Sequence, residues 1–238
     1  MLGARASGTG RVDVETGFDL SKSYDSEHSL KAKVIQRLRE SERFGRRPIV
    51  ATEYRVGSTG ARADLVIASR STREVVAIEI KSAADSLKRL PHQLAAYMRY
   101  FDRVILVAAH RHQPHVRRLT IPGLEIWEVE KSGAIATVRP GVVSAGKESP
   151  ADLLTQRERL RYRGLISLGH EGAKDAFFAA FEDRHGDTSS LFWDSVSGKV
   201  TADCLARLSR FEAERAEARH RQMLEAERFS SWNSLAAA

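Results

Sequence analysis

Cysteine is almost absent from this chain of 238 residues, which contains only Cys204. A single cysteine excludes an internal disulfide and a cysteine-rich zinc site. Long hydrophobic runs are also missing, because segments such as Val104–Ala109 are far shorter than the roughly 18 to 20 residues of a membrane span. Residues 1–10 lack the apolar core of a signal peptide. We therefore expect a cytoplasmic protein without membrane contact.

Charges of both signs are plentiful, with an excess of positive ones. The 38 Lys+Arg and 31 Asp+Glu residues give a net charge of +7 and a sequence pI near 9.7. Hydrophobic residues make up 42% of the chain, so it can form a core and is not a disordered tail throughout. The length allows one large domain, or one domain with an appendage. A basic surface favours partners that carry phosphate, without indicating what is done to them.

The order of hydrophobic periods predicts an α/β fold. A helical period, which includes Leu30 and Leu38, is followed by three short segments dense in Val and Ile. A helix that begins near Pro91 leads into a buried strand at Arg103–Ala109, and a further strand pair follows. Helix, three strands, helix, strand is an order that predicts a mixed sheet flanked by helices. The strand segments are Pro48–Val56, Ala63–Ser69, Glu74–Lys81, Arg103–Ala109, Leu124–Val129 and Ala134–Val138.

Composition divides the chain into four segments. We expect a flexible arm at residues 1–24, the sheet within residues 25–140, a linker at residues 141–150 and a mainly helical region at residues 151–238. The predicted helices of that region are Asp152–Leu168, Ala173–Asp183 and Asp203–Arg228. The last helix is dense in Glu and Arg, which is typical of a solvated surface. A homodimer or a protein partner bound through these helices is the alternative.

The segment Val75–Lys81 carries two charges in a strand whose apolar residues predict burial on both faces. Such charges are costly unless they are paired or bound to a metal ion. The strand period places Glu79 and Lys81 on one face, and Asp64 begins the apolar run of the neighbouring strand. These carboxylates and the backbone carbonyl of Ile80 are oxygen ligands suited to Mg²⁺ or Mn²⁺. Lys81 beside them can assist an attacking water and offset charge on a phosphate.

Neighbouring residues decide whether this pair is functional, because an isolated Glu-x-Lys pair on a strand is more often structural. Glu53 is another charge among apolar residues, on the first predicted strand. Gln93 and Tyr97 are four residues apart and share a helical face, where they can hold a nucleotide. A core tyrosine is the structural alternative for Tyr97. Together these neighbours favour a functional site.

Asp64, then Glu79-Ile80-Lys81, then Gln93-x-x-x-Tyr97 resemble the motifs of the PD-(D/E)xK nuclease superfamily. The longer pattern is similar to that of a largely uncharacterised group of short bacterial proteins in that superfamily. It runs Glu79-Ile80-Lys81-Ser82-x-x-Asp85-Ser86-Leu87-x-Arg89-Leu90-x-x-Gln93-x-x-x-Tyr97. The resemblance covers about Ser26 to Val129 and implies a restriction-endonuclease-like mixed sheet. One departure is that Ala63 stands where the proline of the superfamily's name would precede Asp64.

The resemblance implies metal-ligand roles for Asp64 and Glu79, with the Ile80 carbonyl as a further ligand. Lys81 would be the catalytic lysine. Glu53 resembles an acidic residue that many members place on the first core strand.

Other positions take supporting roles under the same resemblance. Glu27, on the first helix, matches the place from which some members take an acidic ligand, and it ranks lower. Gln93 and Tyr97 would support the site and the strand that is cut. Apart from the resemblance, Lys88 and Arg89 would usually be solvated charges, but near a cleft they would contact the nucleic-acid backbone without distinguishing its sequence.

A histidine cluster follows the fourth strand at His110, His112 and His115. Pro114 interrupts the helical spacing that would gather these side chains, and no carboxylate or cysteine accompanies them. We therefore expect an exposed loop there rather than a metal site.

Three hypotheses for function follow. The first is a Mg²⁺-dependent deoxyribonuclease, with Mn²⁺ as the alternative ion and RNA as the alternative substrate. The second is a module of nuclease-like fold that binds nucleic acid or a protein and is inactive or dependent on its partner. The third is a structural domain whose function resides in the helical C-terminal third.

Overall fold

The computed structural model describes residues 27–144 and 147–208. The predicted arm at residues 1–24 lies outside these residues. So does the part of the predicted last helix that follows residue 208.

Six strands and six α-helices form the described chain, in an α/β order. The strands are β1 (Ile49–Arg55), β2 (Arg62–Ala68), β3 (Val75–Lys81), β4 (Arg103–Ala109), β5 (Glu125–Val129) and β6 (Ile135–Arg139). The helices are α1 (Glu27–Glu40), α2 (Leu90–Tyr100), α3 (Gln113–Val116), α4 (Gln156–Arg161), α5 (Arg163–Ile166) and α6 (His170–Ser195). Short 3₁₀ segments lie at His110–His112, Pro150–Leu153 and Asp203–Leu208.

The strands form one mixed sheet in the order β1-β2-β3-β4-β5-β6. The first three pair as antiparallel neighbours, β3–β4 and β4–β5 are parallel, and β5–β6 is antiparallel. The helix α2 connects β3 to its parallel neighbour β4, as a parallel pair requires. The predicted α/β class, with helix, three strands, helix, strand around a mixed sheet, is confirmed.

Apolar cores lie on both faces of the sheet, because successive residues of the buried central strands point in opposite directions. On one face the sheet packs against α2 and the first half of α6, which contribute Leu94 and Phe181. On the other face it packs against α1 and the end of α6, which contribute Leu30 and Phe192. The helix α6 therefore contacts both layers.

The helix α6 also covers the edge of the sheet at β1. The hydroxyl of Ser189 accepts a hydrogen bond from the Val50 N–H at 2.9 Å. The indole of Trp193 donates to the carbonyl of Pro48 at 2.7 Å. An uncovered edge offers such backbone groups to other chains, so these contacts protect the edge at β1.

The C-terminal helices differ in extent from the prediction. The predicted helix at Asp152–Leu168 is instead a 3₁₀ turn followed by α4 and α5, because a capping box at Thr155 and Glu158 starts a new helix. The predicted helix at Ala173–Asp183 extends to Ser195. Residues 203–208 of the predicted last helix form a 3₁₀ segment.

The predicted linker is hydrogen-bonded to the end of α2 and to the turn before β4 where it is described. The N–H of Ser144 donates to the carbonyl of Asp102, and the N–H of Glu148 to that of Arg99. The predicted domain boundaries stay predictions. The structure shows in addition that α6, which belongs to the predicted C-terminal region, packs on the sheet. No helix within 27–144 or 147–208 has both the length and the apolar character that crossing a bilayer demands.

Candidate active site

A cleft of about 340 Å³ opens where β2 and β3 meet the start of α1 and the start of α2. Its lining includes Glu27, Glu53, Arg62, Asp64, Glu79, Ile80, Lys81, Asp85, Arg89, His92 and Gln93. We call this the acidic cleft. Seven of the predicted side chains thus meet in one place, with the backbone of Ile80. Tyr97 is buried beneath them, whereas Lys88 is exposed and lies outside the lining.

Glu79 is a buried carboxylate held from both sides. The Lys81 ammonium donates to its Oε1 at 2.6 Å, and the Tyr97 hydroxyl lies 2.6 Å from its Oε2. Burial raises the pKa of Glu79 above its ordinary value, while Lys81 and the Tyr97 hydroxyl act in the opposite direction. The Lys81 ammonium also donates to the Gln93 side chain at 3.1 Å. Gln93 and Tyr97 therefore fix the Glu79–Lys81 pair from α2.

Tyr97 is a buried hydroxyl with two acceptors, since it also lies 2.6 Å from the carbonyl oxygen of Arg62. Burial, followed by the charge of Glu79, raises the pKa of Tyr97 far above its ordinary value. The hydroxyl therefore stays protonated and acts as a donor. The hydrophobic core cluster also contains its ring, so the structural and supporting interpretations of Tyr97 both apply.

Asp64 lies on β2, beside the backbone of β3. Its Oδ2 accepts the Ile80 N–H at 2.6 Å. Burial and the neighbouring charge of Glu79 raise the pKa of Asp64 to about 7, although the hydrogen bond from Ile80 and the charge of Lys31 act in the opposite direction. Near neutral pH this carboxylate is therefore only partly ionised unless a cation compensates its charge.

Glu53 lies opposite Asp64 in the sheet, because Thr52 pairs with Leu65 and Tyr54 with Ala63. Its backbone has a φ of 53°, in the left-handed region that residues with a side chain seldom adopt. Such conformations cost roughly 1–3 kcal/mol and cluster at functional sites.

Lys31 on α1 ties two of the acids together. Its ammonium is 2.5 Å from Glu27 Oε1 and also donates to Glu53 Oε1. Burial alone would lower the pKa of Lys31, but the hydrogen bonds to Glu27 and Glu53 leave it above its ordinary value. One carboxylate oxygen each of Glu27, Glu53 and Asp64 lies within 4.8 Å of the others.

The donor set of the acidic cleft fits a hard divalent cation. Carboxylate oxygens are the ligands that Mg²⁺ and Mn²⁺ prefer, and three of them are gathered here. Both oxygens of Glu79 are already held by Lys81 and Tyr97. Lys31 likewise holds one oxygen each of Glu27 and Glu53, so these two acids and Asp64 are candidate ligands beside Glu79.

Basic groups line the mouth of the cleft. Arg62 Nη1 is 3.6 Å from Glu53 Oε2, and Arg89 precedes the first turn of α2. His92 Nε2 lies 3.0 Å from the carbonyl oxygen of Thr59, which joins α2 to the turn between β1 and β2. A phosphate entering the cleft would meet these groups first.

Sequence reasoning missed Lys31, Arg62 and His92. Lys31 follows Glu27 by four residues, which was a signal for an ion pair on one helical face. Arg62 and His92 gave no such signal, because their place depends on how the turn and α2 fold over the sheet.

The loop after Lys81 is fixed by side chains. Asp85 accepts hydrogen bonds from the Ser82 N–H at 2.7 Å and from the Ser82 hydroxyl at 2.6 Å. His112 Nε2 lies 3.0 Å from the Ser82 carbonyl oxygen, and Arg111 donates to the carbonyl of Ala83. The expectation of an exposed histidine loop is wrong at His112, which is buried because it supports this loop.

Comparisons with known proteins add a family and one structural likeness. No curated protein matches the chain. A solved structure, the SPO1766 protein of unknown function from Silicibacter pomeroyi, is similar over 58% of this chain and 85% of that one, with 17% sequence identity and a TM-score of 0.37. A family model described as Bacteriophage P4 protein cII matches residues 21–156, a span that includes the whole acidic cleft. Because that match covers more than half of the chain, the protein belongs to the Bacteriophage P4 protein cII family.

Proposed function

We propose that this protein is a metal-dependent nuclease that hydrolyses phosphodiester bonds of DNA. The observation that carries the proposal is the convergence of the Lys81 ammonium with the carboxylates of Glu27, Glu53, Asp64 and Glu79 in one cleft. The resemblance to PD-(D/E)xK nucleases supports it, because Asp64, Glu79, Lys81 and Gln93 of its motifs line the cleft.

Mg²⁺ would be held by Asp64, Glu79 and the Ile80 carbonyl, and Glu27 and Glu53 lie beside Asp64 as further acidic groups. When bound, the ion supplies positive charge for the phosphate oxygens and makes an attacking water more acidic.

Lys81 is positioned to interact with an attacking water and to offset negative charge on a phosphate. Lys81 is 5% exposed, and its ammonium is oriented by Glu79 and Gln93. In the proposed reaction it orients the attacking water and stabilises negative charge that builds on the phosphate. Tyr97 acts through Glu79 and is a positioning residue.

The groups at the mouth suit a phosphodiester chain. Arg62, Arg89 and His92 surround an acidic floor, so a polyanion can bind at the rim while its reacting phosphate approaches the metal ion. The net charge of +7 favours binding to DNA in a salt-sensitive way.

The test is a cleavage assay on circular and linear DNA with Mg²⁺, with Mn²⁺ and with a chelator. We expect cleavage only with metal ion, and a rate at least about 100-fold lower for Lys81→Met, which removes the charge beside the phosphate, and for Asp64→Asn, which removes a ligand of the ion. Lys199→Met is the matched control, since Lys199 is an exposed lysine outside the cleft lining.

Cleavage by Lys81→Met at the parental rate would overturn the assignment. A parental chain that binds DNA and metal ions but cuts neither substrate would instead favour the second hypothesis, a binding module.

A further inference from the structure

Lys31 is the least exposed charged group beside the acidic cleft that lies outside the motif positions. It lies on the inward face of α1 and is 4% exposed, while the carboxylates it contacts are about half exposed. Its ammonium bridges Glu27, on its own helix, and Glu53, on a strand. An ordinary helical ion pair would need only the first of these partners.

The charges of the cleft leave room for one divalent ion. Glu27, Glu53, Asp64 and Glu79 contribute four negative charges when all are ionised, whereas Asp85, which also lines the cleft, is bound to Ser82 of the loop. The two buried ammoniums, Lys31 and Lys81, contribute two positive charges. Arg62 and Arg89 also line the cleft, but both are exposed, so solvent screens their charges. The remaining charge of −2 matches a single Mg²⁺ or Mn²⁺.

We propose that Lys31 is a built-in cation that takes the place of a second divalent ion, so that the acidic cleft binds one metal ion per chain. The inference rests on the proposed function, because it assumes that these carboxylates hold a metal ion. It deepens that function by fixing the number of ions.

The geometry separates this role from a purely structural one. Lys31 donates to oxygens of Glu27 and Glu53, two of the three acids whose oxygens lie within 4.8 Å of one another. Its charge is thus placed among the oxygens that a second ion would need. A lysine that only joined α1 to β1 would leave the number of bound ions unchanged when replaced.

Calorimetric titration of the full chain with Mn²⁺ tests the proposal. We expect one ion per chain for the parent and for Lys31→Arg, which keeps the charge. We expect two for Lys31→Met, which keeps the length of the side chain and frees the oxygens. Circular dichroism checks the fold, and Lys31→Gln is the second neutral variant if Lys31→Met fails to fold.

The outcomes separate the two proposals. Two ions on the parent chain, or one ion on both the parent and a folded neutral variant, would overturn the role of Lys31 and leave the nuclease proposal in place. If the parent binds no Mn²⁺, or if Asp64→Asn binds Mn²⁺ as the parent does, the metal site itself is wrong. Both proposals then fall together.

Discussion

Asp64 shows, at the scale of one residue, that a carboxylate buried in the acidic cleft lowers the stability of the fold once it ionises. Its pKa lies near 7 in the folded chain, against an ordinary value of 3.8, chiefly because it is buried beside Glu79. Between about pH 4 and pH 7 the folded chain therefore holds a proton at Asp64 that the unfolded chain has released. Its contribution to the free energy of unfolding is greatest below pH 4 and is lost as the pH rises through about 7.

We expect Asp64→Asn to be more stable than the parent at pH 8 in the presence of a chelator, by about 1–3 kcal/mol, because no buried charge has to form. The amide oxygen can still accept the Ile80 N–H. Urea unfolding at pH 5 and pH 8 measures the difference. Asp187→Asn, at an exposed position on α6, is the control and should leave the pH dependence unchanged. Equal stability of parent and Asp64→Asn at pH 8 would contradict the raised pKa.

Single residues also mark where sequence analysis stops. Glu53 was predictable as a charge on a strand, but neither its φ of 53° nor its place opposite Asp64 was. Both depend on the register between β1 and β2, which no local pattern determines. The partners of Lys31 were equally hidden, because Glu53 reaches it only when α1 packs on the sheet.

At the scale of elements, the strands were predicted well because they are dense in Val and Ile and bounded by turns. The C-terminal helices were predicted less well. The polar run at residues 187–190 hid the continuation of α6, in which Ser189 and Ser190 donate to carbonyls one turn earlier. Such hydrogen bonds satisfy hydroxyls within a helix, and the amphipathic pattern does not reveal them.

The loop between β3 and α2 gives a testable prediction at this scale. Asp85 holds it by accepting two hydrogen bonds from Ser82. We expect Asp85→Ala to lower the free energy of unfolding by about 1–2 kcal/mol, as the loss of a capping side chain does. It should also weaken DNA binding, because Arg89 follows this loop. Urea unfolding and a DNA-binding titration measure both effects.

Asp85→Asn is the matched control for that experiment, because its amide oxygen keeps an acceptor where the carboxylate was. We expect it to recover most of the stability and the affinity. If Asp85→Ala behaves as the parent does in both measurements, the loop is held by other contacts.

At the scale of the whole molecule, the acidic cleft forms because strands that follow one another along the chain are also neighbours in the sheet. The strands β2 and β3 are joined by a short turn, so Asp64 and Glu79 come together, and α2 follows β3 closely enough to bring Gln93 to Lys81. The sequence could predict these residues because they lie on consecutive elements. It could not predict the contribution of α6, which is distant along the chain and packs on β1 through both layers.

The packing of α6 leads to the final prediction, that the sheet needs this helix to stay folded. Phe181 is fully buried in the core layer shared with β1 and α2, whereas Leu191, on the same helix, is 59% exposed. We expect Phe181→Ala to lower the free energy of unfolding by about 3–5 kcal/mol, because it leaves a cavity between helix and sheet. Leu191→Ala, the matched control, should change it by no more than about 0.5 kcal/mol. Both are measured by urea unfolding, and equal losses would show that α6 does not share the core. Because the sheet needs α6, a chain ending near residue 146 should fail to fold.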